Sequence, residues 1–154
     1  CREKDSDRYP KFINVCKFYN AFPIISDLED EKIKPLKISY IIKKINNLLP
    51  NKRYDIIFTH GKNGEYGHLR HIEIYKAIKK MLNDKILISN EKYFFSYKKN
   101  KNFSAIPNLK SDLIIKLNQK EYKDKINLIT KFYGFSNGSF ESKSCNVIES
   151  FTKS

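Results

Sequence analysis

Apolar residues recur along this chain in two alternating rhythms, stripes at helical spacing and short unbroken runs. Phe12, Val15, Cys16 and Tyr19 fall at helical spacing, and Asp7 with Pro10 supplies a start signal, which predicts a first helix. Pro23 to Asp27 (PIISD) is short and mostly apolar and reads as a buried strand. Ile38, Ile41, Ile42, Ile45, Leu48 and Leu49 form a strong helical stripe. Pro50 stops it, because a proline has no N–H for the helix ladder. Tyr54 to Thr59 (YDIIFT) reads as a second strand, being apolar and rich in β-formers. A glycine-rich loop, Gly61 to Gly67, follows it, and a helix is expected from about His68 to Leu82.

Ile86 to Ser89 and Tyr93 to Ser96 read as two further short strands, Asn100 to Lys110 as a polar loop, and Leu113 to Leu117 as a strand. Asn118, with Glu121 three residues later, has the form of a capping box. The helix it opens carries Tyr122, Ile126, Ile129 and Phe132, and Gly134 would stop it. The tail from Ser136 is polar and carries no clear pattern. Strands alternating with helices predict an α/β fold in one domain, a mostly parallel sheet with helices on both faces. Such sheets place ligands beyond the C-terminal ends of their strands, and Thr59 to His71 sits at such an end.

Composition sharpens the picture only in places. A chain of 154 residues with 40% hydrophobic positions can build a real core. No apolar run reaches about 18 residues, so no membrane-spanning helix is expected. No basic segment leads into an apolar one as in a signal peptide. The first residue is Cys1 rather than Met, so a trimmed or partial chain is expected. The net charge of +13 suggests phosphate-rich partners, but 26 of the 30 basic residues are Lys and only Arg2, Arg8, Arg53 and Arg70 are Arg. Arginine is the usual reader of bases and phosphates, through its planar fork. The lysines are spread out and accompany 21 Ile and 15 Asn, which reads as codon bias and a solvated surface. Cys1, Cys16 and Cys145 are far apart and form no CxxC or finger spacing, so they are expected to be buried or idle thiols in a reducing cytoplasm.

The chemistry gathers in THGKNGEYGHLRH, Thr59 to His71, which holds all three histidines of the chain, His60, His68 and His71. Three glycines there leave the backbone free to bend. His68 and His71, three apart at a helix start, can point to one face beside the positive helix end, which favours a developing oxyanion. Imidazole is a common zinc ligand, and Tyr66 adds a hydroxyl in the same turn. An isolated His-x-x-His equally marks two surface or capping histidines. The nearby carboxylates Glu65 and Glu73 are not at helical contact spacing from His71, so spacing reveals no full ligand set.

This segment resembles, over thirteen contiguous residues, the C-terminal signature of the PIG-L/LmbE-like zinc-dependent N-deacetylases, roughly TH-x-x-x-GEYGH-x-x-H. Weaker similarity covers Asp7-Arg8 through the SDLED run, and Leu128 to Ser142. The resemblance implies a Rossmann-like domain that hydrolyses the N-acetyl group of an amino sugar or glycoconjugate. It implies Zn2+, or another divalent ion, held by His71 and by a His and an Asp of an N-terminal His-x-Asp-Asp motif, whose other Asp is the general base. His68 would stabilise the tetrahedral intermediate or protonate the leaving amine, and Tyr66 would assist at the oxyanion. Arg8 and Asp27 would touch substrate; the plainer roles for them are a helix-start charge and a turn or cap. Glu65 would order the loop rather than bind metal, and His60 would pack or hydrogen-bond.

This sequence departs from the family pattern in lacking His-x-Asp-Asp, in carrying Arg70 where Asp is common, and in carrying Lys11 at a commonly acidic position. Arg70 would disfavour a protonated His68 by like charge. The expectation is a cytoplasmic, N-terminally incomplete deacetylase domain, inactive by itself. The alternatives are a sugar-binding relic of the same fold, or a nucleic-acid binder built on Tyr93 to Lys101 (YFFSYKKNK).

Overall fold

The computed structural model describes residues 2–30, 32–102 and 104–153. Helices α1 (Arg8–Phe18) and α2 (Ile38–Leu48) precede strand β1 (Arg53–Thr59). A helical turn α3 (Gly64–Gly67) leads into α4 (Leu69–Asn83), then β2 (Ile88–Phe95) and a hairpin of β3 (Tyr97–Lys99) and β4 (Ala105–Pro107). Strand β5 (Leu113–Lys116) is followed by α5 (Gln119–Asn127), which runs on as a π-helical turn (Leu128–Phe132). A short α6 (Phe140–Lys143) and strand β6 (Ile148–Lys153) close the described chain.

The main sheet has the order β1-β2-β6-β5. Strands β1 and β2 are parallel, joined through α4 as a βαβ unit; β2 with β6 and β5 with β6 are antiparallel. The fold is therefore mixed α/β with a mixed sheet, and the expected parallel arrangement holds for one pair. The change comes from β6, which enters between β2 and β5 from a tail that reads as patternless. Its Ser150 is fully buried, and the hydroxyl donates to the Ser96 carbonyl while accepting the Asn108 N–H. A buried hydroxyl with both partners satisfied costs little, so a polar-looking strand can sit inside a sheet.

Other expectations also shift. Pro23 to Asp27 forms no strand; it follows α1 as irregular chain with Ile24 exposed, and no strand among the described residues pairs with it. The two strands expected at 86–89 and 93–96 are one, β2, whose polar middle pairs with β1 through Ile56↔Glu91. The expected loop at 100–110 contains β4, and Lys98 and Lys99 lie on β3 rather than in a loop. The Asn118 capping box forms with both of its hydrogen bonds.

The core lies where α2 and α4 meet the sheet. Ile78, Met81 and Leu87 are its buried centre, and Ile42, Ile45, Leu49, Ile57 and Ile74 pack on it. Successive strand residues face opposite ways, so Phe58 lies on the other side of the sheet from Ile57. There it stacks on Tyr93 at 5.1 Å and meets Phe151 edge-on. Strand β1 is one edge of the sheet among the described residues, with β5 the other, and Ile56 and Phe58 on β1 are half exposed.

Candidate functional site

Strand β1 delivers His60 at its C-terminal end, and the turn that follows folds back on it. Two glycines make this possible. A Cβ at Gly61 would lie 1.9 Å from the Phe95 carbonyl oxygen, so only glycine lets the turn press against the end of β2. Gly64 has φ +63°, and a Cβ there would meet Ile72 at 2.8 Å. Glu65 also has a positive φ, 59°, which a side-chain-bearing residue adopts only when its surroundings compensate.

The compensation is visible in its hydrogen bonds. Buried Glu65 accepts the Gly61 backbone N–H on Oε1 at 2.7 Å. Its Oε2 faces Nδ1 of His60 at 3.1 Å and Nδ1 of His71 at 2.5 Å. Burial pushes this carboxyl up, but hydrogen bonds from His60, His71 and the Gly61 amide outweigh it and hold it at about 2. Glu65 thus orders the loop, as its sequence position suggests, and also joins two histidines. The reach to His71 escapes helical spacing rules because the kink at Glu65 breaks the helix.

The three imidazoles form one group. His60 and His71 stack at 3.8 Å between ring centroids, and His68 lies 4.4 Å from His71. Tyr66 meets His68 at 5.7 Å and His71 at 5.6 Å, edge to face, and rests on Phe140 at 4.6 Å. The structure therefore brings Tyr66, His68 and His71 together. Burial first, then the charges of Glu65, Asp30 and Glu141, raises the Tyr66 hydroxyl, which keeps it a proton donor. Burial also lowers His68, with His71 and His60 adding to the fall; Asp30 opposes it, and Arg70, the residue expected to act on it, contributes least.

Arg70 has another task. It is buried, pairs with the equally buried Glu73, and donates to the Lys34 carbonyl at 3.2 Å. Asp30 is the carboxylate that faces the site, 3.9 Å from His68 Nε2 and 4.0 Å from Arg70 Nε. Its Oδ1, Arg70 Nε and His68 Nδ1 are buried without hydrogen-bond partners among the described residues. Asp27, three positions earlier, instead accepts the Lys4 backbone N–H at 2.9 Å. Arg8 is exposed at the start of α1 beside Asp5. Neither Arg8 nor Asp27 lines the cleft described next. Asp30 carried no sequence signal beyond its place in the acidic SDLED run.

A cleft of about 330 Å³ opens beside His60 and His71, walled by Tyr66, Phe95, Phe140 and Tyr97 and flanked by Lys125 and Glu149; His68 is not part of its lining. Glu149 accepts from Lys125 on one oxygen and from the Tyr97 hydroxyl on the other. Burial and Glu149 push Tyr97 far above the usual phenol range. His60, Glu65 and His71 each carry one atom that could ligate a metal ion, all within 4.8 Å of one another; as they stand, Glu65 Oε2 spans the two Nδ1 atoms, and the imidazoles are the groups whose chemistry suits a divalent ion.

The aromatics of Tyr93 to Lys101 belong to the strands, with Phe94 and Tyr97 buried. Cys16 and Cys145 are free and buried; Cys1 lies outside the described residues. No helix among the described residues is long and apolar enough to cross a membrane.

Against known proteins, the chain is similar to an uncharacterized protein of Acanthamoeba polyphaga mimivirus, 33% identical over 78 residues. The match covers 50% of this chain and 33% of the viral protein, so the chain spans about a third of that relative. No family model matches the chain. No solved structure matches it.

Proposed function

We propose that this chain is part of a metal-dependent N-deacetylase of amino sugars or glycoconjugates, with a Rossmann-like relationship resting on the β1-α4-β2 unit. The observation that carries the reading is the convergence of Tyr66, His68 and His71 at the C-terminal end of β1, with Glu65 behind His71. His71 engages Glu65 through Nδ1, which leaves Nε2 for a metal. The His-x-Asp-Asp residues that the resemblance implies as further ligands and general base do not occur in these 154 residues. A bound Zn2+ or other divalent ion supplies a Lewis acid for the acetyl carbonyl and lowers the pKa of bound water.

The residues of this chain hold and donate. The Tyr66 hydroxyl, kept protonated, offers an O–H to the carbonyl oxygen as its charge develops. His68, shifted downward, is neutral near pH 7 and donates an N–H; that favours oxyanion stabilisation over protonation of the leaving amine. The aromatic walls suit the apolar face of a sugar ring, and Tyr97, Lys125 and Glu149 suit its hydroxyls.

The test is His71→Ala in the intact protein, assayed on N-acetylglucosaminides with and without zinc. Zinc-dependent release of acetate should be abolished. Unchanged turnover would sink the assignment.

A further inference from the structure

We infer that Glu65 is a positioning residue that fixes the proton of His71 on Nδ1 and so presents Nε2 as the free lone pair; this rests on the metal-ligand reading of His71. A neutral imidazole carries one proton on either nitrogen, and the partner of one nitrogen decides the state of the other. The only group within hydrogen-bond distance of His71 Nδ1 among the described contacts is Glu65 Oε2, at 2.5 Å. An ionised carboxylate has no proton to give, so His71 must donate from Nδ1.

The same oxygen faces His60 Nδ1 at 3.1 Å, which by the same logic is also protonated. One carboxylate oxygen therefore sets the tautomer of two stacked rings. The Gly61 amide makes the charge of Glu65 indispensable. It donates to Oε1 at 2.7 Å, from a turn whose Cβ-free backbone lies against the Phe95 carbonyl. An amide at position 65 would have to keep its oxygen on Gly61 and turn its NH2 toward the imidazoles. That NH2 donates, so His71 Nδ1 would become an acceptor and its proton would move to Nε2, the atom a metal needs. Outer partners of this kind orient metal-binding histidines generally. Here the partner is six residues away, on a turn with a positive φ, which gives Glu65 a reason to hold that backbone.

The experiment is side-chain 1H–15N correlation spectroscopy of the full chain, metal-free at neutral pH, with Glu65→Gln as the variant. The wild type should show His71 protonated on Nδ1, and the variant should show the proton on Nε2, with the backbone amide pattern kept. A wild-type proton on Nε2 overturns the proposal, and so does a variant in which it stays on Nδ1. Should Glu65→Gln fail to fold, coupling across the hydrogen bond from His71 Nδ1 to the labelled Glu65 carboxylate in the wild type decides. Its presence supports the proposal and its absence overturns it. The outcome is separable from that of the deacetylase reading. An Nδ1–H His71 in a protein that never hydrolyses an N-acetyl group removes the activity and keeps the device.

Discussion

The two ends of α4 bury opposite kinds of side chain. Its C-terminal half places Ala77, Ile78 and Met81 in the core, while its N-terminal half buries Arg70 and Glu73. At the apolar end, any side chain of similar volume and shape keeps most of the stability. At the polar end, direction matters as much as volume. Glu73 accepts from Arg70 and from the Leu36 N–H at 2.8 Å, and Arg70 holds the chain before α2 through the Lys34 carbonyl. One helix thus fastens the core with its last turns and holds the site's loops with its first.

Arg70→Ala tests that contrast most severely. It leaves the Glu73 carboxylate buried beside the orphaned Lys34 carbonyl, and the expected loss is about 3–5 kcal/mol in denaturant unfolding. The combined change Arg70→Met with Glu73→Leu should cost less than the single one, because no buried charge remains. If the single change costs under about 1 kcal/mol, the polar end is not a buried network in the sense argued.

Met81→Ala is the counterpart at the other end. Met81 is fully buried, so its truncation should cost about 2–5 kcal/mol, part transfer and part cavity. Met81→Leu should restore most of this, and the imidazole resonances of His60, His68 and His71 should not move. A shift of those resonances would show that the two ends are one cooperative unit, and the comparison would fail.

The same contrast explains what was legible in the sequence. The apolar stripe of α2, strand β1, α4 and the Asn118 cap were all readable, since periodicity and capping are local. Strand β6 was not, because Ser150 and Thr152 are paid for by partners 42 to 58 residues away. The converse error at Pro23 to Asp27 has the same origin: an apolar run becomes a strand only if a neighbour pairs with it. At the site, the clustering of His60, His68 and His71 and the proximity of Tyr66 were foreseeable from THGKNGEYGHLRH. The bond from Glu65 to His71 was not, since it requires positive φ at a glutamate, which no residue type announces. Nor was Asp30 facing His68, which depends on how the irregular chain after α1 brings Glu29 and Asp30 to the start of α4.

The last and smallest expected effect separates the apolar end of α4 from the turn that leads into the helix, by pH. The core end of α4 carries no buried titratable group, so acid should leave its contribution alone. At the site, the folded Glu65 carboxyl lies at about 2, below its ordinary 4.5. The unfolded chain therefore takes up this proton at a higher pH than the folded one. Stability from Glu65 is fully present above about pH 4.5 and drains away as pH falls toward 2, by up to about 3 kcal/mol. Denaturant unfolding of wild type and Glu65→Gln across this range should give free-energy curves that converge as the pH falls. Met81→Ala and wild type should instead stay parallel, because the deleted interaction binds no proton. Parallel curves for Glu65→Gln as well would mean that this carboxylate is not held ionised by its three donors, and the turn before α4 would then be no more sensitive to acid than the helix's apolar end.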